Sequence, residues 1–221
     1  MPTAIVTGAS RGLGLALARA LAERGWRLVI DAREPGPLHE AAAELARTTD
    51  VIALAGDVAD PAHRAALVAA AGSELELLVN NASVLGPSPQ PALTDYPLET
   101  LEHVYRVNVF APLALIQAAQ PTRVLNLTSD AAAEAYEGWG GYGSSKAALD
   151  HISAVLAQER PELRVYAVDP GDMKTRMHQE AFPGEDISDR PPPEDSVPGL
   201  IALIEGDLPS GRYQAKAVVA A

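Results

Sequence analysis

A tyrosine and a lysine stand four residues apart in the glycine-rich stretch GWGGYGSSKAAL, residues 138–149. On a helix, side chains at positions i and i+4 share a face, so the phenol of Tyr142 and the ammonium of Lys146 would be neighbours. A phenol has a reference pKa of about 10 and is a poor acid–base catalyst at neutral pH. A nearby ammonium favours the phenolate and lowers that pKa. The pair therefore predicts a proton-transferring tyrosine, the alternative being an aromatic cap and a solvated lysine.

A second glycine-rich stretch, TGASRGLG, follows the first apolar run and places Gly8, Gly12 and Gly14 before a helical pattern. Glycines at such a turn let the backbone approach a pyrophosphate, which lies at the helix N-terminus where amide donors and the helix dipole favour negative charge. The spacing G-x-x-x-G-x-G is longer in its first interval than the dinucleotide-binding fingerprint, so a simple helix-entry turn is the alternative. We expect a dinucleotide-binding loop.

The end of the second predicted strand bears on which dinucleotide would bind. An NAD site places an acid there to bond the ribose 2′-hydroxyl. Counted from Gly14, that position is Ala32, with Asp31 before it and Arg33 after it. Arg33 and Arg11 could clamp a 2′-phosphate through charge-assisted hydrogen bonds. The hypothesis is therefore a preference for NADP. If the strand end lay one residue away, Asp31 would take the position of the acid, and the preference would reverse to NAD.

Short apolar runs alternate with alanine-rich stretches of helical periodicity along the chain. This alternation predicts a single-domain α/β fold, a doubly wound parallel sheet of about seven strands with helices on both faces. The strands are apolar almost throughout, as a sheet covered on both sides requires. The predicted strands are Thr3–Thr7, Arg27–Asp31, Val51–Ala55, Leu77–Asn80, Val124–Thr128, Val165–Asp169 and, as a weaker pattern, Tyr213–Val219. The predicted helices are Leu13–Arg24, Leu38–Arg47, Ala62–Ala71, Leu98–Ala119, Ser144–Glu159 and, roughly, Glu194–Ile204.

One irregular segment, residues 177–198, is rich in proline and follows the last well-defined strand. Loops of this length in a compact domain usually serve a site. Open parallel sheets bind their ligands beyond the strand ends, where this segment begins. We expect it to be a substrate lid, with mobility alone as the alternative.

Composition excludes several classes of protein. The 221 residues carry a net charge of −12 without a cluster of Lys and Arg, so no nucleic-acid partner is expected. There is no cysteine, and the five histidines fall at no spacing that suggests a metal site. No apolar run is long enough to span a bilayer, and the N-terminus lacks the pattern of a signal peptide. We therefore expect a cytoplasmic protein with no membrane partner.

Together these motifs resemble those of the short-chain dehydrogenases/reductases. TGASRGLG, Asp57-Val58, NNAS at 80–83, Asn108, Ser129, YGSSK at 142–146 and DPGDMKT at 169–175 occur in that family's order, from about residue 3 to residue 176. The resemblance implies a Rossmann-type fold, NADP or NAD as cofactor, and hydride transfer between this cofactor and a carbonyl or secondary alcohol. It also implies a homodimer or homotetramer.

The resemblance assigns a catalytic tetrad and a set of cofactor contacts. Tyr142 would donate a proton to a carbonyl oxygen, or remove one from an alcohol, while Lys146 would reach the nicotinamide ribose. Ser129 would orient the substrate oxygen, and Asn108 would hold a water that relays protons to Lys146. The glycines around Tyr142 would let its loop turn in close to the cofactor. The expected cofactor-binding residues are Gly8, Ser10, Arg11, Gly12, Leu13, Gly14, Arg33, Asp57, Val58, Asn80, Ala82, Tyr142, Lys146, Pro170, Gly171, Met173 and Thr175.

The substrate pocket should be walled by residues that follow the strand ends: Val84, Leu85, Ala131, Trp139, Met173, Met177 and Phe182. This mainly apolar set predicts an apolar or moderately polar ketone, aldehyde or secondary alcohol. Two other functions stay open. One is an NADP(H)-binding regulator without turnover; the other is an epimerase or dehydratase of the related longer-chain proteins, for whose substrate domain 221 residues leave little room.

Overall fold

A parallel sheet forms the centre of the computed structural model, which describes residues 1–219. Its seven strands follow the order β3-β2-β1-β4-β5-β6-β7, and every neighbouring pair is parallel. They are β1 (Thr3–Val6), β2 (Arg27–Ala32), β3 (Val51–Ala55), β4 (Leu77–Asn80), β5 (Arg123–Leu127), β6 (Arg164–Asp169) and β7 (Gly211–Gln214). The predicted fold class is confirmed.

Helices connect the strands and cover both faces of the sheet. They are α1 (Gly12–Glu23), α2 (Pro35–Leu45), α3 (Pro61–Ala71), α4 (Leu98–Tyr105), α5 (Ala111–Ala119), α6 (Gly140–Glu159), α7 (Arg176–Ala181), α8 (Val197–Glu205) and α9 (Ala215–Val219). Single turns of 3-10 helix lie at Leu93–Asp95, Asp130–Ala132 and Pro193–Ser196. Within residues 1–219, none of the helices combines the length and the apolar character needed to cross a membrane.

Alternate residues of each strand face opposite layers of helices. In β1, Ala4 and Val6 pack in the layer that contains α1 and α8, whereas Ile5 packs in the layer that contains α3 and α5. Successive side chains of a strand point to opposite faces, so both faces of this sheet need apolar residues. The two layers fix the sheet and leave the loops at its ends to form a site.

The strand order reverses between β1 and β4. From β1 the chain proceeds outward through β2 and β3, and it then returns to start the other half of the sheet at β4. At such a reversal the loops leaving the two strands diverge and open a crevice at the carboxyl ends of the strands. The candidate site lies in this crevice.

The single helix predicted over residues 98–119 is interrupted between α4 and α5 by a π turn, Arg106–Phe110. Pro112 has no backbone N–H, so the carbonyl of Asn108, four residues earlier, cannot accept an α-helical bond from it. The N–H of Ala111 bonds instead to the carbonyl of Arg106, five residues earlier. Such π turns concentrate at functional sites, and this one contains a residue of the expected tetrad.

The first turn of α6 also differs from the prediction, which began this helix four residues later. The helix begins at Gly140, and its glycines face neighbouring elements. A Cβ at Gly143 would lie 2.6 Å from the carbonyl oxygen of Ala131, and a Cβ at Gly141 would overlap the ring of Tyr96. The glycines thus serve close packing of α6, which corrects the expectation of a loop that turns in towards a cofactor.

The last predicted strand, Tyr213–Val219, is wrong from Ala215 onwards. The strand β7 ends at Gln214, and residues from Ala215 onwards form α9. Alanine and lysine in AKAVV favour a helix. The helix starts against α8, where a Cβ at Gly199 would overlap the carbonyl oxygen of Ala215. Tertiary packing therefore ends the strand early.

The segment 177–198, expected as an irregular loop, contains regular structure at both ends. Most of α7 lies at its start, and a 3-10 turn and the beginning of α8 lie at its end. Thr175 caps α7, because its Oγ1 accepts a hydrogen bond of 3.2 Å from the N–H of His178. A role as a lid stays a prediction.

We predict that Gly141→Ala lowers the free energy of unfolding by about 1–3 kcal/mol, because the added methyl group must displace the buried Tyr96 ring. Gly36→Ala is the matched control: it is also the second residue of its helix, and nothing lies within 4 Å of its added Cβ. That substitution should be neutral or stabilise by up to about 1 kcal/mol. Urea unfolding compares the two variants, and equal effects would contradict the packing role.

Candidate active site

A cleft of about 630 Å³ lies at the carboxyl ends of the strands. Among the residues expected to bind a cofactor, those that line it are Gly8, Ser10, Arg11, Gly12, Leu13, Gly14, Arg33, Asp57, Val58, Ala82, Tyr142, Lys146, Pro170, Met173 and Thr175. Two do not. Asn80 lies within β4, where its Nδ2 donates to Oδ1 of Asn126 at 2.8 Å. Gly171 lines a smaller neighbouring cavity.

The glycine loop after β1 brings α1 close to the strand end. Gly8 has φ 66°, in the left-handed region that favours glycine. A Cβ at Gly14 would lie 2.5 Å from the carbonyl oxygen of Gly8, so only glycine allows this approach. The helix N-terminus, with Gly12 and Leu13, lines the cleft. Its unpaired N–H groups and dipole favour an anionic ligand there.

A threonine joins the two strands at the point where the sheet order reverses. The hydroxyl of Thr7 accepts hydrogen bonds of 3.0 Å from the N–H groups of Asn81 and Ala82 and donates to the carbonyl of Val79. The Nδ2 of Asn81 donates back to the carbonyls of Thr7 and Gly8. Sequence analysis did not identify Asn81, although it neighbours Asn80 in the same NNAS motif.

Asp31, at the end of β2, has a protein partner for each of its carboxylate oxygens. Oδ1 of Asp31 accepts a 2.8 Å hydrogen bond from the N–H of Gly8, and Oδ2 lies 3.0 Å from Nε2 of His63. Burial raises the pKa of Asp31, and the contacts with His63 and Gly8 partly offset this. Arg33, two positions on, is exposed and has no side-chain hydrogen bond or ion pair within residues 1–219.

The second basic residue expected at this end of the cleft is paired with an acid. Arg11 lies 2.8 Å from Glu34, and Arg176 at the start of α7 lies 3.4 Å from the same carboxylate. The Arg11 guanidinium holds the pKa of Glu34 below its usual value. Because Glu34 is fully exposed, solvent screens this contact and an incoming phosphate could replace it.

Tyr142 and Lys146 lie on one face of α6, and both are buried. The Nζ of Lys146 is 5.5 Å from the centre of the Tyr142 ring and donates a 2.8 Å hydrogen bond to the carbonyl of Leu127. Burial lowers the pKa of Lys146 to about 8, with Asp150 opposing the shift. The predicted proximity of the two side chains is therefore present.

The acidity of Tyr142 differs from the expectation. Burial raises its pKa; the neighbouring Ser83 hydroxyl lowers it, and the carboxylates of Asp169 and Asp130 raise it. The ammonium of Lys146, which is bonded to the carbonyl of Leu127, does not bring the pKa of Tyr142 below its ordinary value. In this structure burial outweighs the ammonium, and the phenol holds its proton at neutral pH.

Both polar atoms of the Asn108 side chain are hydrogen-bonded to other protein groups. Its Oδ1 accepts from the N–H of Val84 at 2.9 Å and from the hydroxyl of Ser83 at 3.1 Å. Its Nδ2 donates to the carbonyl of Val84 at 2.9 Å and to Oγ of Ser145 at 3.0 Å. The side chain thus ties the loop after β4 to α6, and the expected hold on a water molecule stays a prediction.

Ser129 follows β5 and bonds to its neighbours. Its hydroxyl donates to Oδ1 of Asp130 at 2.9 Å and accepts from the N–H of Ala131 at 3.2 Å. It lines, together with Tyr142, a cavity of about 100 Å³ that adjoins the main cleft. The Ser129 hydroxyl and the Tyr142 phenol therefore belong to the same cavity, where a substrate oxygen is expected.

The walls of the smaller cavity are only partly those expected. Leu85, Trp139, Met173 and Met177 line it, as predicted, and Val84 lines the main cleft. Ala131 and Phe182 lie behind this lining: Ala131 packs with the buried Tyr142, and the Phe182 ring lies 5.8 Å from that of Trp139. The smaller cavity is also lined by four polar residues, Asp130, Asp169, Asp172 and His178. It is therefore more polar than the sequence suggested.

Lys146→Met removes the buried ammonium and keeps most of its volume. The folded-state pKa of about 8 lies below the ordinary value of 10.5, so the unfolded chain binds more protons between these pH values. The cost of burying the charged lysine is full below about pH 8 and vanishes as the pH approaches 10.5. We predict that the unfolding free energy of the wild type, minus that of Lys146→Met, rises by about 3 kcal/mol across this range.

Urea unfolding at several pH values measures this difference. Lys216→Met, which removes an exposed lysine, is the control and should give a difference that does not change with pH. A flat difference for Lys146→Met as well would show that the ammonium is not buried as described.

Known proteins with similar sequences indicate the family of this chain. A family model described as short chain dehydrogenase matches residues 2–186. The rhamnolipids biosynthesis 3-oxoacyl-[acyl-carrier-protein] reductase of Pseudomonas aeruginosa is 36% identical over 191 residues, covering 79% of this chain and 73% of that protein.

Solved structures share the fold over nearly the whole chain. A protein from Pseudomonas syringae described as a short chain dehydrogenase superposes with a TM-score of 0.90 at 28% identity, over 97% of this chain and 94% of its own. An alcohol dehydrogenase from Thermococcus sibiricus, complexed with 5-hydroxy-NADP, gives a TM-score of 0.85 at 25% identity, over 97% and 95%. The chain therefore belongs to the short-chain dehydrogenase/reductase family of oxidoreductases.

Proposed function

We propose that this protein transfers hydride between NADP(H) and a carbonyl or secondary alcohol, with Tyr142 as the proton donor and acceptor. The observation that carries the proposal is the buried Tyr142–Lys146 pair, which lines the same cleft as the glycine loop of α1. The names of the relatives, a reductase and an alcohol dehydrogenase, agree with this reaction class.

The residues of the cleft fit a dinucleotide. The N-terminus of α1 offers N–H donors for a pyrophosphate, and the exposed Arg33 is available for a 2′-phosphate. Asp57 and Val58 follow β3, at the end where the adenine would lie. When bound, the nicotinamide ring supplies the hydride that the protein itself cannot carry.

The raised pKa of Tyr142 suits proton donation. A phenol that is protonated at neutral pH can give its proton to the alkoxide that forms when a carbonyl is reduced. The reverse reaction needs the phenolate, and Lys146 would stabilise this form if its ammonium turned from the carbonyl of Leu127 towards the phenol. Reduction leaves the same phenolate behind, so Lys146 would serve both directions.

Ser129 and Asn108 hold the reacting groups in place. The hydroxyl of Ser129 belongs to the smaller cavity, where it can donate to a substrate oxygen in place of Asp130. Asn108 fixes the loop after β4 against α6 through its four hydrogen bonds. Alignment of this kind supplies a large part of catalysis in such reactions.

The substrate would lie between Trp139 and Met177, next to Ser129 and Tyr142. These walls favour an apolar or moderately polar carbonyl compound, and α7 with the segment 177–198 would close over it. A cytoplasmic location and assembly into a homodimer or homotetramer stay predictions. The single sheet formed by the described residues agrees better with the proposed reaction than with an epimerase or dehydratase that uses a separate substrate domain.

We predict that Tyr142→Phe lowers kcat for NADPH oxidation with a carbonyl substrate by about 10²–10⁴-fold, because only the proton donor is lost. The dissociation constant for NADPH should stay within about threefold. Tyr105→Phe, which removes a hydroxyl from α4 outside the cleft, is the control and should leave both values unchanged. A panel of ketones and aldehydes, followed by NADPH absorbance, provides the measurement.

Two outcomes of this panel would contradict the proposal. Undiminished activity of Tyr142→Phe would remove the phenol from the mechanism. Tight binding of NADPH with no turnover of any carbonyl would favour an NADP(H)-binding regulator instead.

We predict that Arg33→Ala raises KM for NADPH by about tenfold or more and leaves KM for NADH nearly unchanged, because a charge-assisted bond to the 2′-phosphate is lost. Arg47→Ala, at an exposed position just beyond α2, is the control and should change neither constant. A wild-type KM for NADH equal to or below that for NADPH would overturn the NADP preference.

A further inference from the structure

A buried histidine outside the expected tetrad contacts the acid at the end of β2. His63 lies on α3, and its Nε2 is 3.0 Å from Oδ2 of Asp31. Both side chains are almost fully buried, at 8% and 2% exposure. An ionised carboxylate can only accept, so the histidine nitrogen is the donor. The two residues are 32 positions apart, and none of the motifs in the sequence connects them.

The histidine is held in this position by its surroundings. Its ring lies directly over Gly56, where any Cβ would overlap the ring atoms. Gly56 follows β3 and lines the cleft. The absence of a Cβ at position 56 therefore gives the ring the space it occupies beside the end of β3.

The contact with His63 engages the second oxygen of the Asp31 carboxylate, which lines the cleft. Oδ1 of Asp31 already accepts from the N–H of Gly8, and His63 takes Oδ2. An acid at this strand end normally accepts the ribose 2′-hydroxyl of NAD and repels the 2′-phosphate of NADP. Each oxygen therefore has a protein donor, and these two bonds hold the carboxylate against the glycine loop and α3. The exposed Arg33 is the residue left to reach the 2′ position.

We propose that His63 is a specificity-determining positioning residue: by holding Asp31 against the glycine loop, it sets the preference for NADP over NAD. This inference rests on the proposed function, because it concerns the same dinucleotide. Loss of the His63 donor frees Oδ2 of Asp31 to turn into the cleft. The carboxylate then accepts from a ribose 2′-hydroxyl and opposes a 2′-phosphate.

The test measures the dissociation constants of NADP⁺ and NAD⁺ by titration of the tryptophan fluorescence, without turnover. His63→Leu fills the space over Gly56 but donates no hydrogen bond. The ratio of affinities, NADP⁺ over NAD⁺, should fall by about tenfold or more, because the freed carboxylate opposes the 2′-phosphate and gains a hydrogen bond from the 2′-hydroxyl. His63→Gln keeps an amide donor and should stay within about threefold of the wild-type ratio.

The double variant His63→Leu/Asp31→Asn separates specificity from structural damage. The amide at position 31 still has an oxygen for the N–H of Gly8 but carries no charge, so the ratio should return towards the wild-type value. Damage to the fold would instead weaken both dinucleotides together and would not be repaired by Asp31→Asn. If His63→Leu does not fold, His63→Ala, which admits water beside Asp31, makes the same comparison.

A ratio that stays within about threefold of the wild type in the folded donorless variants would overturn this inference alone. A double variant that keeps the lowered ratio would do so as well, since the effect would then not pass through Asp31. A wild-type protein that binds neither dinucleotide would overturn the proposed function instead.

Discussion

The bond between the ends of β1 and β4 is the contact on which the site depends. Thr7 connects the two strands on either side of the point where the sheet order reverses, through the N–H groups of Asn81 and Ala82. The helical layers diverge at this point, and without such a contact the backbone groups at the strand ends would lack partners. The bond therefore ties the glycine loop to the loop after β4, and Asn81 strengthens this link by donating to the carbonyls of Thr7 and Gly8. Both loops line the cleft.

Two buried ionisable groups mark the two ends of the cleft. Asp31 is held by Gly8 and His63 at one end, and Lys146 is held by the carbonyl of Leu127 at the other. Burial of an ionised group is unfavourable unless partners replace its water, and the directions of both pKa shifts reflect this cost. The partner sets differ in a way that bears on function. Each oxygen of Asp31 has a protein donor, whereas the ammonium of Lys146 has three N–H groups and one described partner, which leaves two N–H groups for a ligand.

The fold was largely predictable because it depends on local patterns. Apolar runs that must be covered on both faces become parallel strands, and the seven-stranded sheet follows from their alternation with helices. The errors have non-local causes. The role of the glycines in α6 depends on Tyr96, which lies far from them in sequence, and the fate of Asp31 depends on His63. The π turn is an exception, because Pro112 was visible and its effect on the helix could have been inferred.

Of the site, sequence reasoning could find which groups meet but could not assess their energies. The spacing of Tyr142 and Lys146 predicts their common helix face, and a nearby ammonium by itself would lower the pKa of the phenol. Burial dominates instead, because α6 enters the structure against the loop after β5 and encloses both side chains. The phenol consequently holds its proton at neutral pH. The 2.8 Å hydrogen bond to the carbonyl of Leu127 gives the buried ammonium of Lys146 a partner on the backbone, so nearness along the helix alone does not set the acidity of the tyrosine.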